Sequence, residues 1–490
     1  MAHVNSFFAL LALACAIPAV SESRNGCRII SKDNLLCASP VTSTDILTFV
    51  PRATSSLTVE RHVGEGLELT FVFRHFPRLE NASVTCEQKC RLVTNFNEHY
   101  NEPQHLNRLI LQNVVFSAYT LDSFPGLNTL KLLHSNLQLS RESFRKLSKL
   151  SGVEISNNKP VELPDHVFSS QGMSLKRLII RDNAVLRVTH NAFNNLKEMR
   201  KLILKSNNVT FLSKHRVEDQ IPHKLFRDLV QLEYLDLSDS KLTALPKGIF
   251  ANSKLLSHLD LSRNELHSLP SEIFKKNWRL RTLLIGGNRF RSLNFLNSLT
   301  RLRTLDVSHA RIRNTDLSIL SRCTTLRKLT MRGIPSVRFS VREIQQLPKY
   351  LGHLDLGDTN AISLTSETFH GFLNLTVLVM DNVGLKHMSF VPFSALQRLR
   401  YLDVSRNGLH KITEDFALFK GVLDLRDNPL HCNCLLQWML QIETNRTLSK
   451  PDIQGATCFT PAKLRGREPS SISQSDMRCY PPEVTLSIGQ

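Results

Sequence analysis

Between residues 106 and 430, leucines and their apolar substitutes fall into one phrase, L-x-x-L-x-L-x-x-N, written fourteen times. Its opening positions are 106, 127, 150, 175, 199, 232, 256, 280, 302, 326, 351, 375, 399 and 420, a period near 24 broken once by a step of 33. In the copy that opens at Leu256, Leu259 and Leu261 alternate with polar neighbours, as a half-buried strand requires. The leucines therefore point inward and Asp260 outward. Asn264 ends the strand, because its amide both donates to and accepts from turn backbone. The same column holds Asn at 158, 183, 207, 288, 407 and 428, and Val, Ser, Ala, Ile or Thr in the other seven copies. So short a unit buries its apolar side only against stacked neighbours, which predicts a parallel β solenoid.

A second column fixes the register. Phenylalanine falls 18 residues after the opening position at Phe168, Phe193, Phe250, Phe274, Phe369 and Phe393, a predicted spine of rings along the convex wall. In the fifth copy the matching ring is Phe226, 27 residues after Met199, so nine extra residues lie between Leu212 and Phe226. An insertion with no packing duty that its neighbours lack is a candidate for function; a tolerated insertion is the plainer reading. Phrase and period resemble the leucine-rich repeat. That resemblance implies an α/β leucine-rich repeat solenoid, a curved right-handed parallel β horseshoe.

The ends carry different signals. Residues 1–21 read as a secretory signal, with an apolar run from Phe7 to Ile17 and small residues at Ala19 and Ser21. No later stretch reaches the roughly 18 apolar residues of a membrane span. The expectation is a secreted or extracellular chain, at a cell surface if it continues past Gln490. Of the ten cysteines, Cys15 leaves with the signal, and Cys27, Cys37, Cys86, Cys90 and Cys432, Cys434, Cys458, Cys479 cluster at the two ends of the array. An open end exposes its leucines to water and needs a cap. The repeats at 106–427 are thus expected between a cap region at 22–105 and a cysteine-rich cap at 428–480. Cys27 with Cys37 and Cys86 with Cys90 is the local pairing among the three connectivities open to the first four. Zinc competes for the second four, but C-x-C-x23-C-x20-C matches paired C-x2-C ligands poorly, and export favours disulfides. Cys323 is left over and reads as a buried spare thiol.

The run from Asn428 to Met439, with Cys432, Cys434 and Trp438, followed by Cys458 and Cys479, resembles the C-terminal cap of extracellular leucine-rich repeat proteins. In that family the first cysteine pairs with the third and the second with the fourth, which implies Cys432–Cys458 and Cys434–Cys479. From signal to cap the chain is similar to proteins of the Slit, Toll and leucine-rich-repeat/immunoglobulin receptor kind. The likeness implies recognition of an extracellular protein ligand or co-receptor in adhesion, guidance or receptor signalling. Secreted innate-immune recognition, or the non-catalytic part of a larger extracellular enzyme, are the alternatives it leaves open. Residues 481–490 resemble the first strand of an immunoglobulin-type domain, or form a tail.

No catalytic spacing survives a search: H-E-x-x-H, G-x-S-x-G, phosphate loops and dinucleotide fingerprints are all missing, and the 18 histidines are scattered. No catalytic residue, metal or cofactor is therefore assigned. Four sequons, at Asn81, Asn208, Asn374 and Asn445, mark candidate glycosylation sites. A net charge of +19 in an exported chain points to anionic partners such as sulfated glycans or acidic proteins rather than nucleic acid. No long basic run stands out, so the field is expected to be diffuse. Reading the outward strand positions in columns places Arg177, Ile179, Arg181, Lys201, Ile203 and Lys205 side by side, a basic patch with two exposed isoleucines. Tyr234, Asp236, His258, Asp260 and Asp306 continue it as a more acidic run, although an Asp column is what most such repeats write. Apolar contact beside guanidinium suits a protein interface, and the inserted residues 213–224 are expected to rim it.

Overall fold

A computed structural model describes residues 27–31, 34–37, 54–63, 66–68, 78–93, 105–116, 121–122, 124–213, 216–218, 221–335, 337–359, 364–442 and 451–477. The chain divides into two compact units, Met1–Lys241 and Leu242–Gln490.

In the first unit a parallel ladder runs through Asn34–Cys37, Ser56–His62, Asn81–Val93, Arg108–Phe116, Thr129–Leu133, Gly152–Ser156, Arg177–Arg181, Lys201–Ile203 and Tyr234–Asp236. The sheet thus begins upstream of Leu106, on strands that lack the full phrase. Along Arg177–Arg181, Leu178 and Ile180 are buried while the arginines at both ends are exposed, the period-two pattern of a sheet with one core face. After each turn, Val161–Leu163, Leu186–Thr189 and Val209–Ser213 form a second, smaller parallel sheet. The nine extra residues extend that second sheet: Arg216–Glu218 folds back antiparallel on Val209–Ser213.

The second unit repeats the plan through His258–Asp260, Thr282–Leu284, Thr304–Asp306, Lys328–Thr330, His353–Asp355, Val377–Val379, Tyr401–Asp403 and Val422–Asp424. It gains one more strand, Asp452–Gln454, beyond the last phrase. Helix is confined to short pieces such as Val341–Gln345, capped by Ser340 and Glu343.

Two columns stabilise the coils. Phe144 stacks on Phe168 at 5.2 Å and Phe193 on Phe226 at 6.2 Å, so the insertion leaves the ring spine in register. In the second unit Phe250 stacks on Phe274 at 6.0 Å and Phe369 on Phe393 at 5.8 Å. The asparagines form the other column. Asn183 Oδ1 accepts from the Asn158 backbone N–H at 3.0 Å, and Asn183 Nδ2 donates to the Ile155 carbonyl at 3.3 Å. Asn207 and Asn183 repeat the arrangement one coil on. These amides satisfy buried backbone groups that would otherwise cost about 1–3 kcal/mol each.

Candidate recognition face

Strand register brings most of the predicted patch together. Arg177 lies opposite Lys201 and Ile179 opposite Ile203, and Lys201 and Ile203 in turn face Tyr234 and Asp236. The Lys201 ammonium stands 4.5 Å over the Tyr234 ring, a cation–π contact that holds both side chains on the sheet face. On the other flank Ile179 faces Glu154. Glu154 receives Lys131 at 2.7 Å and Arg181 at 3.0 Å. Burial alone would push its carboxyl up, but these two cations outweigh it and hold it below the usual range. Arg177, Lys201 and Lys205 have no carboxylate partner among the described residues, and the Arg177 guanidinium lies against Gly152, where an added Cβ would stand 3.5 Å from it.

Two expectations need correction. Ile179 and Ile203 are half-buried rather than exposed, because each sits between register partners on both sides: Glu154 and Ile203 flank Ile179, and Ile179 and Asp236 flank Ile203. Arg181, exposed at the end of its strand, is paired with Glu154 and also meets Asp182 at 3.3 Å, which orders it within the patch. The inserted residues form a hairpin on the second sheet, whereas the patch belongs to the first. His258 lies in the second unit, half-buried on its own strand.

Known proteins carry the same phrase. A family model described as "Leucine rich repeat" matches residues 219–266 and 230–290, and one described as "BspA type Leucine rich repeat region (6 copies)" matches 115–219. Residues 115–290 thus carry leucine-rich repeats. A rat relative, leucine-rich repeat and fibronectin type III domain-containing protein 1 (Rattus norvegicus), is 31% identical over 147 residues, which is 28% of this chain. The match spans only 18% of that relative's length. Human podocan-like protein 1 is 26% identical over 304 residues, 60% of this chain and 51% of its own. Among solved structures, the TLR13–ssRNA13 complex superposes with a TM-score of 0.64 at 18% identity, over 89% of this chain and 70% of that one. At that identity the likeness speaks for the fold.

The Asp column of this leucine-rich repeat chain has a structural task. Asp260 Oδ1 accepts from Ser262 N at 2.9 Å, Asp306 from Ser308 N at 2.8 Å and Asp403 from Ser405 N at 2.9 Å. Each carboxylate therefore locks the turn that follows its strand.

Two features escape the repeat pattern. The eighth position of every copy, from Asn113 to Asp427, has a left-handed backbone with φ between 50° and 72°. Asn, Asp and Gly fill it often, but His134, Ser206, Arg263, His309 and Arg406 also occupy it. The second is a charge cluster. Arg332 reaches Asp358 at 2.6 Å, Asp381 at 2.5 Å and Asp355 at 3.4 Å. Arg406 joins Asp381 and lies 3.4 Å from Asp358. Burial raises the Asp381 carboxyl, yet hydrogen bonds from both arginines more than offset this and lower it. Gly357 makes the space, since a Cβ there would stand 2.2 Å from Asp381 Oδ1.

The structure joins Cys86 to Cys90 and Cys432 to Cys458. Cys37 and Cys434 are also disulfide-bonded; Cys27 stands opposite Cys37 in antiparallel register, and Cys479 lies outside the described residues. Cys323 is free and buried, and burial pushes its thiol up to about 11. Asn81 opens a strand, Asn208 precedes Val209–Ser213, and Asn374 accepts from Arg398 at 2.9 Å. Asn445 lies outside the described residues. No helix among them is long and apolar enough to cross a membrane.

Proposed function

We propose that this chain is the recognition part of an exported glycoprotein, and that its first unit binds a protein partner in cell adhesion, guidance or receptor signalling. One observation carries the reading: strand register sets Arg177 beside Lys201 and Ile179 beside Ile203 on an outward sheet face, with neither cation held by a carboxylate. Half-buried isoleucine offers an apolar centre, and the cations around it supply charge complementarity and orientation. Tyr234, held beneath Lys201, adds a rigid aromatic of the kind that concentrates binding energy. The chemistry is binding rather than catalysis, since a sheet face of this kind supplies no enclosed site to desolvate a reacting group.

The test is binding of the purified, fluorescently tagged full chain to intact cells. With sulfated polysaccharides removed from the cells by heparinase and chondroitinase, the reading expects binding that protease treatment of the cells removes and that the double change Arg177→Glu with Lys201→Glu abolishes, while secretion and the urea midpoint persist. Unchanged binding by that variant would overturn the assignment of this face.

A further inference from the structure

Charge in the second unit is distributed differently. Residues 273–342 hold 16 Lys and Arg against two Asp and no Glu. Three of these arginines, Arg281, Arg303 and Arg327, occupy the second position of consecutive phrases. Their backbones are joined directly: Arg303 N donates to the Arg281 carbonyl at 2.8 Å, and Arg327 N to the Arg303 carbonyl at 2.8 Å. All three side chains are exposed. They therefore form a ladder at strand spacing, about 4.8 Å per step. Just upstream, Arg279 and Arg301 stand over the Trp278 ring at 5.0 Å and 4.7 Å, which orders two more guanidinium groups at the same edge. None of these five arginines has a carboxylate partner among the described residues. Within the basic field of this stretch, five guanidinium groups thus line one edge.

We propose that this pre-strand edge of the second unit binds a linear sulfated polysaccharide. A row of guanidinium forks on a rigid backbone matches a polymer that carries an oxyanion at each repeat, and Arg binds such groups through paired N–H donors. A protein partner fits less well, because a protein interface is built on an apolar core, whereas this column presents Arg281, Arg303 and Arg327 in succession with no apolar member between them. Single-stranded nucleic acid needs an open aromatic face for base stacking, whereas Arg279 and Arg301 stand over Trp278 and Arg327 stands over Tyr350 at 5.6 Å. The site is independent of the protein-binding face in the first unit.

A fluorescent heparin decasaccharide, titrated against the full chain over a series of salt concentrations, tests this. The triple change Arg281→Gln, Arg303→Gln and Arg327→Gln is expected to weaken binding at least about tenfold at physiological salt and to flatten the salt dependence. An equal loss of charge on the opposite edge, Arg289→Gln, Arg291→Gln and Arg311→Gln, is expected to change affinity by no more than about twofold. Arg177→Glu with Lys201→Glu leaves heparin binding in place, which separates this site from the first. If the glutamine triple does not fold, the lysine triple keeps every charge but loses the forks, and is expected to bind about threefold more weakly. Equal loss from both edges, full affinity of the lysine triple, equal binding of desulfated heparin, or displacement by polyglutamate or single-stranded RNA at matched charge would each overturn the proposal.

Discussion

The same second column of the phrase behaves differently in the two units. In the first it reads Asn107, Asn128, Ser151, Lys176, Arg200 and Glu233, and Arg200 pairs with Glu233 at 2.9 Å. In the second it reads Ser257, Arg281, Arg303, Arg327, Gly352, Thr376, Arg400 and Gly421, with three arginines in succession and no acid in the row. The turns differ in a related way. Asn158, Asn183 and Asn207 close the first unit's turns with neutral amides, while the middle of the second unit places Ala310, Ile334, Thr359 and Val383 in that column. There Asp355, Asp358 and Asp381 gather around Arg332 and Arg406. The coils that carry the ladder hold few acids, two Asp and no Glu in residues 273–342, so their edge stays basic. Where a charge is neutralised thus matters more than the net +19 of the chain.

The largest effect expected from breaking this contrast is on stability. Asp381→Ala leaves Arg332 and Arg406 facing each other without their shared, buried acid, and is expected to cost about 3 kcal/mol, read as a fall in the urea midpoint. In the first unit, Asn183→Ala strands the Asn158 N–H and the Ile155 carbonyl; a loss of about 2 kcal/mol is expected from the same measurement. A loss under about 0.5 kcal/mol would mean that the amide column is not what closes these turns.

Acid sharpens the comparison. The folded-state carboxyls of Asp358 and Asp381 are lowered below their unfolded values: burial opposes this, but Asn382, Arg332 and Arg406 outweigh it. Their contribution is therefore present above the unfolded carboxylate range and is lost as pH falls below about 4. Asp381→Asn should flatten the stability profile in that window, as followed by circular dichroism.

The smallest effect comes from making the first unit resemble the second. Glu233→Gln frees Arg200, with a stability change within about 1 kcal/mol because the pair is exposed. Elution from a heparin column is expected to move to slightly higher salt. Movement to lower salt would contradict the role given to neutralising acids.

Much of the coil was legible because packing is periodic: Leu259, Leu261 and Asn264, or Phe168 and Phe193, recur wherever the same space must be filled. The left-handed eighth position was not, since residues as unlike as His134, Ser206 and Arg263 adopt it when the coils on either side fix the turn. Nor was the Arg332–Asp381 pair, whose members stand 49 residues apart and meet only through stacking. The columns correctly set Arg177 beside Lys201, but the half-burial of Ile179 depends on neighbouring side chains that a column does not weigh. The arginine ladder was readable in principle, by counting acids coil by coil instead of looking for basic runs.

Arginine labelling with phenylglyoxal, mapped by mass spectrometry on the full chain with and without the heparin decasaccharide, tests the contrast most directly. Protection of Arg281, Arg303 and Arg327, with Arg177 and Arg200 labelled equally in both conditions, is the predicted result. Protection spread evenly over both units, or greater at Arg177 and Arg200, would contradict it.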